Sequence, residues 1–110
     1  MLHHELGCDL GLADDRGKTP ALIAGCNGHE ACLRLLMDTG CDLGQADNNG
    51  DTPANVAAFY GHEECLRLLK DAGCDLGQPD NNGRTPAHAA AENGHAGCLR
   101  LLKDAGCDLG

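Results

Sequence analysis

Apolar and polar positions in this chain recur as a block of fixed length. Cys32, Leu33, Leu35 and Leu36 fall at spacings that give a helix one apolar face. The same set returns at Cys65, Leu66, Leu68 and Leu69, and again at Cys98, Leu99, Leu101 and Leu102. The punctuation between these faces returns with the same step of 33 residues: Thr19-Pro20, Thr52-Pro53 and Thr85-Pro86, then Gly28-His29, Gly61-His62 and Gly94-His95, then Gly40, Gly73 and Gly106. The chain therefore divides into units 14–46, 47–79 and 80–110. Residues 1–13 match only the end of a preceding unit, so the whole reads as a single repeat domain.

Each unit predicts two helices. Thr19 is a good N-cap, and Pro20 suits the first helical turn because its missing N–H is not needed there. A short helix runs through about Cys26, and Asn27-Gly28 breaks it. A second helix starts near His29 and ends at Gly40 as a C-terminal cap. Cys41 to Gly44 is expected to run extended. Asp47-Asn48-Asn49-Gly50 is expected to form a tight turn, because Asn and Gly tolerate positive φ. The predicted class is all-α: stacked helix-turn-helix units joined by hairpin-like loops.

Composition supports stacking over one central core. Phe59 and Tyr60 are the only aromatics, and there is no Trp. A compact globule of this size leans on aromatic area, whereas a repeat array buries each unit on its neighbours. Seventeen acids against eight bases give a net charge of −9, which disfavours nucleic acid and anionic membranes as partners. No stretch approaches the roughly 20 apolar residues of a membrane-spanning helix, and no basic segment leads into an apolar run as in a signal peptide.

The eight cysteines follow the repeat too. Cys8, Cys41, Cys74 and Cys107 recur every 33 residues, as do Cys32, Cys65 and Cys98, while Cys26 stands alone. Equivalent positions in stacked units lie about 10 Å apart, beyond the roughly 7 Å between Cα atoms that a disulfide spans. These cysteines read as small buried apolar residues in reduced form, which implies an intracellular compartment.

Thr-Pro at the first helix, Gly-His before the second, Leu-x-Leu-Leu within it and Gly after it together resemble the ankyrin repeat, in all three units. The family's Thr-Pro-Leu-His appears as Thr19-Pro20-Ala21-Leu22, Thr52-Pro53-Ala54-Asn55 and Thr85-Pro86-Ala87-His88. Only the third keeps the His that, in the family, ties adjacent backbone together. Gly44, Gly77 and Gly110 replace the Asn that is the usual target of hydroxylation in such repeats. The resemblance implies a protein-recognition module with a concave surface of hairpin tips and first-helix ends. That surface would include Asp15, Arg16, Lys18, Cys26 and Asn27 in the first unit. It would continue through Asn48, Asn49, Asp51, Phe59 and Tyr60, then Asn81, Asn82, Arg84, Glu92 and Asn93. Phe59 and Tyr60 fall at variable positions of the central unit, where interface hot spots concentrate.

Catalysis is not expected. The chain has no Ser, and the acids that recur with the repeat read as turn caps facing solvent. His-x-x-Cys occurs at His29/Cys32, His62/Cys65 and His95/Cys98, but zinc wants four convergent ligands and each pair offers two. Neither a metal nor a cofactor is expected. Cys26 alone, outside the repeat pattern, is a candidate for a partly exposed, reactive thiol.

Two function classes follow. One is a module that binds a protein partner of unknown identity. The other is an engineered or consensus-like scaffold without a natural partner, or an array that associates with itself. Residues 47–77 and 80–110 differ at only seven of 31 positions. No terminal unit carries a distinct polar outer face. The last helix is expected to expose Leu99 or Leu102, favouring head-to-tail contact between copies.

Overall fold

The computed structural model describes residues 12–107. Residues 1–11, including Cys8 and most of the partial unit 1–13, lie outside the described residues, as do Asp108 and Gly110. Six helices form, and no strand is present among the described residues. They are α1 (Pro20–Asn27), α2 (Glu30–Asp38), α3 (Pro53–Tyr60), α4 (Glu63–Asp71), α5 (Pro86–Glu92) and α6 (Ala96–Asp104). The first helices of the units, α1, α3 and α5, stack as one layer, and the second helices, α2, α4 and α6, stack as another.

Local chemistry sets each helix. Thr19, Thr52 and Thr85 cap α1, α3 and α5, their hydroxyls accepting from the backbone N–H of Leu22, Asn55 and His88. His88 completes a reciprocal capping box by accepting the Thr85 N–H at Nδ1, 3.2 Å away. The second helices end in a Schellman motif. In α2, Gly40 N–H reaches Met37 O at 3.0 Å and Cys41 N–H reaches Leu36 O at 3.1 Å.

The two layers bury different residues. The first helices pack through Ala24, Ala57, Ala58 and Ala90, whose small size lets helix axes approach closely. The second helices supply volume: Leu33, Leu66, Leu69 and Leu102 are fully buried. Between layers, Gly28 and Gly61 receive the neighbouring unit. A Cβ on Gly28 would fall 2.7 Å from His62 Nδ1, and one on Gly61 would fall 2.6 Å from His95 Nδ1. Both glycines also have positive φ, at 73° and 77°, where other residues are strained. The His62 ring then donates through Nε2 to the Cys26 carbonyl at 3.1 Å. The Gly-His pair thus joins each unit to the next, and among the described residues no three metal-binding side chains converge.

Four expectations need correction. Positive φ in the turns falls on Gly17, Gly50 and Gly83 alone, and no described non-Gly residue has it. Asn48 instead bridges units: its backbone N–H binds Arg16 O at 2.9 Å and its amide binds Asp15 O at 3.3 Å. Asn81 repeats this toward Asn49 and Asn48. The segment after α2 is a turn at Leu43–Gly44 rather than an extended run, because Asp42 Oδ1 accepts the Gly44 N–H at 2.8 Å. Leu102 is fully buried, since it packs inward between the layers of its own unit; Leu99 is half-buried at the end face. Cys32 is exposed, while its equivalents Cys65 and Cys98 are buried, because only the latter two have a described unit packed in front of them.

Thr52→Ala should lower stability by about 1 kcal/mol, a fall in Tm on the order of 4 °C read by thermal unfolding. No disulfide joins the described cysteines. Burial and the nearby Glu63 push the Cys98 thiol up to about 11, and burial with Glu30 and Glu64 raises Cys65. Alkylation of the native protein near neutral pH, read by peptide mass, should therefore modify Cys32 well before Cys65 or Cys98. Equal rates at the three sites contradict the stacking.

Candidate protein-interaction surface

Three of the positions that differ between the second and third units, 51/84, 59/92 and 60/93, lie at a hairpin tip or a first-helix end. The turn carboxylate organises each tip. Asp47 Oδ1 accepts the N–H groups of Asn49 and Asp51, both at 2.9 Å, and Asp80 Oδ1 does the same for Asn82 and Arg84. The other oxygen of Asp47 accepts from Lys18 Nζ of the preceding unit at 3.3 Å, with the Asp47 side chain 1% exposed. This part-buried ion pair ties unit one to unit two.

At the next joint the sign fails. Asp51 stands at the Lys18 position and Asp80 at the Asp47 position. Two carboxylates therefore meet where a lysine and a carboxylate met before. Burial, then Asp47 and Asp80, raise the pKa of Asp51 above its ordinary value, partly offset by Lys18. At the third unit the position becomes Arg84, which pairs within its own unit with Glu92.

The predicted residues sort by what already holds them. Lys18 and Arg84 are half-buried in ion pairs, and Glu92 is the exposed partner of Arg84. Asn48 and Asn81 are committed to the ladder between units. Asn27 and Asn93 turn back to cap their own helices, binding Ile23 O and Ala89 O, each at 3.0 Å. Cys26 is half-buried and offers its carbonyl to His62. Asp15, Arg16, Asn49 and Asn82 are exposed at the tips, and Asp51 is half-buried behind them.

Phe59 and Tyr60 differ from all of these. Tyr60 stands where Asn27 and Asn93 cap their helices, and its side chain points away instead of bonding back. The two rings meet edge to face with centroids 4.8 Å apart, and Tyr60 stacks on His62 at 6.3 Å. They do not fill a gap in the core: Phe59 is 41% and Tyr60 51% exposed. The aromatic pair therefore stands exposed on the middle unit, beside the charged tips.

A family model described as ankyrin repeats (three copies) matches residues 1–80 and 40–110. The chain belongs to the ankyrin-repeat family. A search of curated proteins returned no match. Ankyrin repeats are generally protein-interaction modules, and no described helix of this ankyrin array is long and apolar enough to cross a membrane.

Sequence reading missed two features. The Lys18–Asp47 pair and its reversal at Asp51–Asp80 are signalled only by the order Lys, Asp, Arg at one repeat position, which means little until the opposing carboxylate is known. The exposure of Leu35 beside buried Leu68 and Leu101 has no signal in the spacing, which is the same in all three units.

A raised folded-state pKa means that folding favours the protonated form of Asp51. Its contribution is favourable below the ordinary carboxylate pKa and is lost as pH rises through the folded value, so at neutral pH it weakens the joint. Asp51→Lys should raise Tm at pH 7 by restoring a Lys18-type pair with Asp80. The gain over wild type should shrink below about pH 4, as the carboxylates protonate. An unchanged or lower Tm at pH 7 contradicts the repulsion.

Proposed function

We propose that this ankyrin array is a recognition module that takes a protein partner on its concave surface, centred on Phe59 and Tyr60. The observation that carries the reading is their exposure in the central unit, at positions where the neighbouring units hold Cys26 and Asn27 or Glu92 and Asn93. The acidic surface supports a protein partner over a nucleic acid or an anionic membrane. The buried, protonated thiols of Cys65 and Cys98 suit a compartment that keeps cysteines reduced. The chain has no Ser, and the function is read as binding rather than catalysis.

A second reading, a consensus-like scaffold without a natural partner, draws on the near identity of the second and third units. Affinity capture from a cell extract separates the two. A saturable partner is expected, and replacing Phe59 and Tyr60 together by Ala should weaken it by tenfold or more, about 1.4 kcal/mol, with helix content unchanged. Absence of any saturable partner favours the scaffold. Unchanged affinity places the contact elsewhere.

A further inference from the structure

The third unit completes within itself a contact that the second unit leaves half made. Arg84 at the tip reaches Glu92 near the end of α5, and the two form an ion pair. One step of 33 residues earlier, the same two positions hold Asp51 and Phe59. One arginine side chain therefore spans the separation between a carboxylate and an exposed aromatic ring in the second unit. Both groups attract a cation, the carboxylate by its charge and the ring by its negative face. Neither supplies one.

The joint between the second and third units lacks the same charge. In the joint before it, Lys18 Nζ lies 3.3 Å from Asp47 Oδ2. Here Asp51 holds the lysine position and Asp80 the carboxylate position. Asp80 Oδ1 is taken by the N–H groups of Asn82 and Arg84, and among the described residues no ion pair reaches Asp51 or Asp80. The nearby cations are engaged elsewhere, Lys18 by Asp47 and Arg84 by Glu92. Both free carboxylates are half-buried, and Phe59 is 41% exposed with its edge-to-face partner Tyr60 beside it. Burial and the repulsion from Asp47 and Asp80 raise the pKa of Asp51, which a cation seated there would reverse.

We infer that Asp51, Asp80 and the Phe59 ring form a slot for an arginine side chain of the protein partner. The inference rests on the recognition surface proposed above and names what that surface reads. The guanidinium lies against the Phe59 ring and directs its N–H donors to the Asp51 carboxylate, and its charge offsets the repulsion between Asp51 and Asp80. A lysine ammonium is a point charge that cannot stack and fork at once, so arginine is the preferred occupant.

A library of displayed random peptides, selected on the full chain at physiological salt, supplies the probes. Enriched peptides should carry an arginine, and replacing it by citrulline, which keeps the shape and removes the charge, should weaken binding about tenfold. Asp51→Asn should cause a similar loss. Asp71→Asn, which removes the same charge from the exposed end of α4, should leave affinity unchanged. Thermal unfolding at pH 7 should find Asp51→Asn no less stable than wild type, since it removes a repulsion. The citrulline substitution is made in the peptide and reads out even if that variant is destabilised. Peptides that need Phe59 and Tyr60 but bind Asp51→Asn as tightly as wild type overturn this inference and leave the recognition reading standing. Equal losses from Asp51→Asn and Asp71→Asn overturn it as well, by reducing the effect to net charge. Selection without enrichment, or peptides indifferent to Asp51 and to the aromatic pair alike, overturns both readings.

Discussion

Leu68 and Leu101 are buried because another unit stands in front of them, and Leu35, the same residue at the same place in its own unit, is not. Burial in this chain is a property of neighbours. No unit can hide both faces of its two short helices, and helices of seven to nine residues are too short to persist unaided. The contact between successive units is therefore what the helices, their caps and the surface all depend on. It is made of small residues in the first-helix layer, leucines in the second, a histidine seated on a glycine between them, and an asparagine ladder along the tips.

That division of labour explains how a chain with two aromatics folds. The frame residues are used up by stacking, so they recur. Some of the positions that vary, 51/84, 59/92 and 60/93, lie on the tips and first-helix ends. Asp51 and Phe59 show the two consequences. Asp51 weakens a joint that a lysine strengthens one unit earlier. Phe59 and Tyr60 leave apolar area in solvent that a fully satisfied frame would have covered or capped.

Period, caps and helix boundaries were legible in the sequence because each is a local signal: Thr-Pro starts a helix and Gly ends one whatever surrounds them. The all-α class and the burial of Leu33, Leu66 and Leu69 followed from the same signals. What was not legible needed three dimensions. Sequence spacing gives the same apolar face to Leu35, Leu68 and Leu101, and only the stack shows that the first is exposed, with no described unit in front of it. It likewise does not separate Leu99, which is half-buried at the end face, from Leu102, whose side chain turns into its own unit. Of the predicted surface, the aromatics stood out by type alone. The structural duties of Asn27, Asn48, Asn81 and Asn93 were hidden, because an exposed Asn looks the same whether it bonds a partner protein or its own helix.

If the fold is a chain of neighbour contacts, its stability is graded along the array. Native-state amide hydrogen exchange, at a concentration low enough to keep the chain dispersed, measures this directly. The slowest amides should lie in α3 and α4, the helices with a described unit on each side, and those of α1, α2, α5 and α6 should open at lower free energy. Protection that is uniform from Pro20 to Asp104 would contradict the account, because it would mean that the helices share one core and unfold only together.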